Sequence, residues 1–134
     1  MITKMTHVGV WVIDQDSAFD FCTNKLGFKV KTDAPMPGDG RWLTVTPPGQ
    51  PDLEIILSPV TRNVLPEKAD TLRDLVKSGT FGVAVLTCDD IFATYEEMSA
   101  KGVQFTKPPT KEFYGTEAIF KDDSGNWFSL AQLT

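Results

Sequence analysis

Residues 5–13, MTHVGVWVI, alternate along the chain, with Val8, Val10 and Val12 on one side and His7, Gly9 and Trp11 on the other. That is the period of a strand with two unlike faces. In DQDSAFDFCTNKLGF the period lengthens: Phe19, Cys22 and Leu26 recur at three and four residues, Asp16 or Ser17 can cap the start, and Gly27 stops the helix. Strands follow at KVKTDA, RWLTVTPP and the proline-bounded PDLEIILSP, the first two separated by a turn-rich PMPGDG. After a mixed stretch with a short helix at EKADTLRDLVKS, the pattern returns. TFGVAVLTC reads as a strand, DDIFATYEEMSAKG as a helix with an Asp cap and a terminal glycine, and VQFTKPP, YGTEAIFKDD and WFSLAQL as strands.

Strand, helix and three strands therefore occur twice, at a spacing of about 75 residues. Laying HVGVWVIDQD over FGVAVLTCDD puts Asp16 on Asp90 and Gly27 nearly on Gly102. The repeat predicts one α+β domain over residues 1–134, built of two tandem βαβββ modules at about 4–59 and about 80–134, with a linker helix region at 60–79. Each module would form a curled mixed sheet with its helix on the convex side. Side chains on the concave sides would face a shared cavity.

Composition narrows what such a cavity could hold. The 134 residues are 41% hydrophobic and 23% charged, an ordinary globular balance that supports a real core. A formal charge of −5, with no run of Lys or Arg, argues against nucleic acid as a partner. No apolar stretch approaches the roughly 18 residues of a membrane span, and MITKMTHV lacks the design of a secretory signal, so a cytoplasmic location is expected. Cys22 and Cys88 are far apart and form no C-x-x-C pair, so buried reduced thiols are expected. Neither phosphate-binding glycine motif occurs, serine-nucleophile motifs are absent, and Ser124 in DDSGN reads as a turn residue.

The opening THVGVWV with its following helix and KLGFKV, the strand LEIIL closing module one, and FKDDSGNWFSL closing module two resemble the vicinal oxygen chelate superfamily. That superfamily includes the glyoxalases, the bleomycin-resistance proteins and the extradiol dioxygenases. The resemblance spans almost the whole chain and implies the paired βαβββ fold and a homodimer. It also implies that metal-using members draw ligands from the first and last strands of each module. By position, module one then offers His7 and Glu54, and module two offers Phe81 and Ser129, where many members carry His and Glu.

An imidazole and a carboxylate suit zinc, nickel, iron or manganese, but catalytic zinc normally takes three protein ligands. With His7 the chain's single histidine, a two-His extradiol dioxygenase is excluded unless two chains share a site. Glu117, Tyr114 and Gln132 come into consideration as further donors, although strand parity turns Gln132 away from Ser129. A divalent metal and no cofactor at all both remain open. His7 with Glu54 could equally form an acid/base dyad, or a satisfied polar pair with no chemistry. Trp11, Trp42, Phe81, Trp127 and Ser129 fall on the expected concave faces, and Tyr114 with Phe113 in a loop that could cover the mouth; such aromatics suit a flat or apolar ligand or simply a core. Arg41 could meet an anionic group, with plain solvation the alternative. Two functions follow: a glyoxalase/bleomycin-resistance-like protein binding a small aromatic or apolar molecule beside a partly retained metal site, or a divalent-metal-dependent lyase or isomerase acting on an oxygen-chelating substrate.

Overall fold

The computed structural model describes residues 1–38 and 40–134. The turn-rich loop expected at 35–40 contains Asp39, which lies outside the described residues. The chain divides into two compact units, Met1–Asp74 and Leu75–Thr134. The first holds β1 (His7–Val12), α1 (Gln15–Asp20), β2 (Lys29–Pro35), β3 (Arg41–Thr46) and β4 (Glu54–Pro59). A helix α2 (Pro66–Lys77) crosses the division, so the linker region belongs partly to each unit. The second holds β5 (Gly82–Thr87), α3 (Ile91–Ala100), β6 (Gln104–Glu112), β7 (Gly115–Lys121) and β8 (Trp127–Leu133).

Each unit forms one four-stranded mixed sheet, in the orders β1-β4-β3-β2 and β5-β8-β7-β6. In both, the first strand runs parallel to the last, and the remaining pairs are antiparallel. This is the duplicated βαβββ pattern that the sequence predicts, and it is the glyoxalase/bleomycin-resistance fold. In the first unit Val10, Val12, Leu43, Val45 and Leu57 share one face and are buried. The other face carries His7, Gly9, Trp11, Trp42, Thr44 and Glu54, because successive side chains alternate. In the second unit Phe105, Phe120 and Phe128 form a ring cluster that Tyr95 of α3 joins at 4.6 Å from Phe105. Trp127, Ser129 and Ala131 must then point away from that helix.

The first helix is capped two residues earlier than the sequence suggests. Asp14 has extended backbone and accepts the Ser17 N–H at 2.9 Å, whereas Asp16 lies inside the helix and pairs with Arg41. A cap needs extended φ/ψ as well as a short polar side chain; both Asp14 and Asp16 have the side chain, and the strand's end decides. Asp90 caps α3 as expected, accepting from Ala93 N–H. The helix α1 continues as a π-helical turn over Phe21–Lys25. Both cysteines are half-buried rather than buried, and burial raises the Cys88 thiol above its ordinary range.

The sequence places Phe113 and Tyr114 in a loop that follows the strand VQFTKPP. Instead β6 runs to Glu112, through Pro108 and Pro109. Prolines are tolerated there because β6 is an edge strand whose register with β7 shifts between Lys107 and Thr110. Phe113 and Tyr114 are thus the tip of a tight hairpin closed by Glu112 opposite Gly115.

The DDSGN turn leading into β8 is held by Asp122, whose Oδ1 accepts the N–H groups of Ser124, Gly125 and Asn126 at 2.9 Å each. Desolvation pushes the Asp122 carboxyl up to about 6, against the pull of the Asn126 amide and with Asp123 adding to the rise. A carboxyl raised in the folded state takes its proton there before the unfolded chain does. This group therefore increasingly favours the fold as pH falls from about 6 toward the ordinary 3.8. Carboxyl-carbon NMR is expected to give Asp122 a midpoint near 6; a midpoint at or below the ordinary value would contradict this.

Candidate functional site

Register brings His7 directly opposite Glu54 on the parallel pair β1 and β4. Nε2 of His7 lies 3.0 Å from Glu54 Oε2, and the other ring nitrogen, Nδ1, lies 2.8 Å from the Thr6 hydroxyl. One neutral tautomer satisfies both contacts: Nε2–H donates to the carboxylate and Nδ1 accepts from Thr6. The second carboxylate oxygen, Glu54 Oε1, accepts from the Thr44 hydroxyl on β3 at 2.8 Å. Trp42, two residues before Thr44 on the same face, tilts toward His7 with ring centroids 6.4 Å apart. The His7 side chain is 40% exposed and Glu54 20%. The pair is therefore reachable, and water screens the contact between its two members.

The helix-distal face of the second sheet carries a different polar cluster. Glu117 on β7 accepts from three groups: the Ser129 hydroxyl on β8, Lys107 Nζ on β6 at 3.0 Å, and the Tyr114 hydroxyl at 2.8 Å. Lys107 also donates to Glu112 at 2.8 Å. The Ser129 hydrogen bond, followed by that from Lys107, holds the Glu117 carboxyl below its ordinary range. Hydrogen bonds to Glu112 and Glu117 raise the Lys107 ammonium, and the bond to Glu117 raises the Tyr114 phenol, so both keep their protons at neutral pH.

The two clusters are related by the repeat, with their parts exchanged. In the first unit Thr44 faces Ile56 and reaches diagonally to Glu54; in the second Glu117 faces Ala131 and reaches diagonally to Ser129. A hydroxyl on the third strand and a carboxylate on the fourth become a carboxylate on the third and a hydroxyl on the fourth. Thr44, Lys107 and Glu112 escape a reading of the sequence alone. The alternation RWLTVT places Thr44 beside Trp42 on one face, but only the register shows which carboxylate it meets.

Several expected positions differ. Phe81 precedes β5, and its carbonyl accepts from Trp127 N–H. Ser129 faces Val85 instead of Phe81: Gly82 already pairs with Trp127, two residues before Ser129, and the register slips by one further residue before Val85. Ser129 holds the place of Glu54, but Phe81 does not face it as His7 faces Glu54. Gln132 sits on the helix side of β8, where its side-chain oxygen accepts the Ile91 N–H at the start of α3 at 2.9 Å; that use removes it from the donor set. Tyr114 folds down onto Glu117 from a hairpin tip and lies in no covering loop. Arg41 spends its guanidinium on Asp33 and Asp16, each at 2.8 Å. Trp11 is half-buried on the His7 face, opposite Ser58.

A divalent metal of the kind used within the superfamily does not fit these residues. Among the described residues no group of three or more His, Cys, Asp or Glu side chains is placed to hold an ion. His7 and Glu54 supply two donors where catalytic zinc takes three, and each is engaged with the other and with a Thr hydroxyl.

A family model described as the Glyoxalase/Bleomycin resistance protein/Dioxygenase superfamily matches residues 4–130. The protein YurT of Bacillus subtilis (strain 168) is 38% identical over 134 residues, covering 96% of this chain and 98% of its own. The crystal structure of UcmS2 superposes with a TM-score of 0.91 at 45% identity, covering 98% of each chain. That of TnmS3, described as an antibiotic binding protein from Streptomyces sp. CB03234, gives 0.79 at 28% identity, covering 99% of this chain and 98% of its own. With the repeat, the sheet orders and these matches in agreement, the chain belongs to the Glyoxalase/Bleomycin resistance protein/Dioxygenase superfamily.

Proposed function

We propose that this chain binds a small, flat aromatic molecule, of the antibiotic class, on the helix-distal face of its first sheet, and does so without chemical turnover. The observation that carries this reading is the mutual satisfaction of His7 and Glu54. Both ring nitrogens of His7 and both oxygens of Glu54 have partners within the chain. A general base needs a lone pair aimed at substrate, and a metal needs several. The pair instead makes a pre-organised polar wall beside Trp42 and Trp11, and aromatic side chains next to a few fixed polar groups are what orient a flat ligand. The relative TnmS3, described as antibiotic binding, supports the ligand class. A formal charge of −5 favours cationic or neutral compounds over anionic ones.

Thermal denaturation against 9-aminoacridine, bleomycin and an α-oxoaldehyde tests this directly. A ligand at a hundredfold excess over its Kd adds about 2.7 kcal/mol to stability, a rise of several degrees in Tm. Such a rise is expected for a flat aromatic compound, unchanged by EDTA. Loss of the α-oxoaldehyde dependent on added divalent metal, with no shift from any aromatic compound, would replace binding with the metal-dependent lyase or isomerase.

A further inference from the structure

The helix-distal face of β1 presents His7, Gly9 and Trp11 in succession. Nothing in the fold calls for glycine in the middle. Gly9 is not among the residues with positive φ, so any L-residue could adopt its backbone. A Cβ built on it would meet only Ser58 Oγ, at 4.0 Å, and the residue is exposed. Glycine weakens a strand and leaves bare backbone, and in strand interiors it marks places where another group comes close.

The second unit shows what such a place admits. Its first strand also carries a glycine of ordinary φ, Gly82, opposite Trp127 on β8. A Cβ on Gly82 would overlap Cζ2 of the Trp127 indole, with Cη2 at 2.6 Å, so a planar ring lies directly against that backbone. In the first unit β4 supplies Ile56 opposite Gly9, not an aromatic residue, and the space over the Gly9 backbone is left open.

We propose that the backbone at Gly9 is the floor of a ligand subsite that takes one planar aromatic ring of a small molecule, bounded along the strand by His7 and Trp11. This rests on the binding function above and adds where the ring lies. Four residues of strand separate the Cα atoms of His7 and Trp11 by about 13 Å, room for a single ring or two fused ones between their side chains. The ring would replace water over bare peptide and meet the His7 edge that Trp42 already approaches.

The test is Gly9→Val, with Gly9→Ala as the milder step and 4-aminoquinoline, a flat compound of two fused rings, as the probe, its affinity read by titration calorimetry. Valine favours a strand and meets open space, so Tm is expected to hold or rise while affinity falls at least tenfold; alanine should fall between. If wild type binds the probe and Gly9→Val binds it as tightly, the subsite is wrong and the binding function stands. If no aromatic compound binds wild type, the binding function fails and takes the subsite with it. A drop in Tm for both variants would show that the space over Gly9 is already filled, which also overturns the proposal.

Discussion

Gly115→Ala is expected to lower the free energy of unfolding by about 4 kcal/mol, the sum of a forbidden backbone and a collision with backbone. Gly115 has φ +142°, a region that only glycine occupies comfortably. Its added Cβ would overlap the carbonyl oxygen of Gln132 and stand 2.9 Å from Leu133 Cα, both in the neighbouring strand β8. Neither atom belongs to a flexible side chain that could swing away. The strand itself must move, and the hairpin closed by Glu112 and Gly115 moves with it. Urea denaturation measures the loss, and a change below about 1 kcal/mol would mean that the hairpin relaxes freely. The consequence reaches the polar cluster, because Tyr114 at the tip would no longer bring its hydroxyl to Glu117.

What the sequence disclosed and what it withheld divide along a physical line. Periodicity disclosed strand and helix order, since alternation and three-to-four spacing are local properties; FGVAVLTC and WFSLAQL read as strands without knowledge of partners. Facing was legible too, which is why Gln132 could be turned away from Ser129 before any register was known, and the structure puts it at the α3 N-terminus. Register was not legible. The pairing of Gly82 with Trp127 left Phe81 beside Trp127, a further shift in β5 brought Val85 opposite Ser129, and no local pattern announces either. Side-chain reach was equally hidden: nothing local in VQFTKPP shows that Lys107 spans from β6 to Glu117 on β7. The cap moved from Asp16 to Asp14 for the same reason, since the chain's exit from β1 decides which aspartate has extended backbone.

The exchanged hydroxyl and carboxylate also bear on how one scaffold serves different chemistries. Duplication supplies two equivalent diagonal positions on facing strands, and each must be filled by groups that satisfy one another or by groups that reach outward. Here both positions are filled inward, Thr44 with Glu54 and Ser129 with Glu117. The carboxylates are consumed as acceptors within the sheet. What remains to meet a ligand on the first sheet is aromatic surface, and that makes the tryptophans the energetic centre of the proposed site.

Trp42→Ala is accordingly expected to weaken binding of a flat aromatic probe by about 10- to 100-fold, the range in which buried aromatic anchors fall when truncated. Trp42 stands on β3 between the buried Leu43 and Arg41, yet its own side chain faces the His7 side, 6.4 Å from the imidazole centroid. Removing the indole deletes stacking area without touching the Glu54 hydrogen bonds. Glu54→Gln is the informative companion. It keeps the shape while deleting the charge: its single oxygen can still accept from His7 Nε2–H and its amide can donate to the Thr44 hydroxyl, so a ligand held by stacking should lose less than threefold. A ligand whose cation pairs with that carboxylate should lose more. Titration calorimetry on the two variants and the double variant separates these contributions, because independent contacts add and a shared one does not. Equal affinity of wild type and Trp42→Ala would remove the indole from the site and with it the physical basis for placing the ligand on this face.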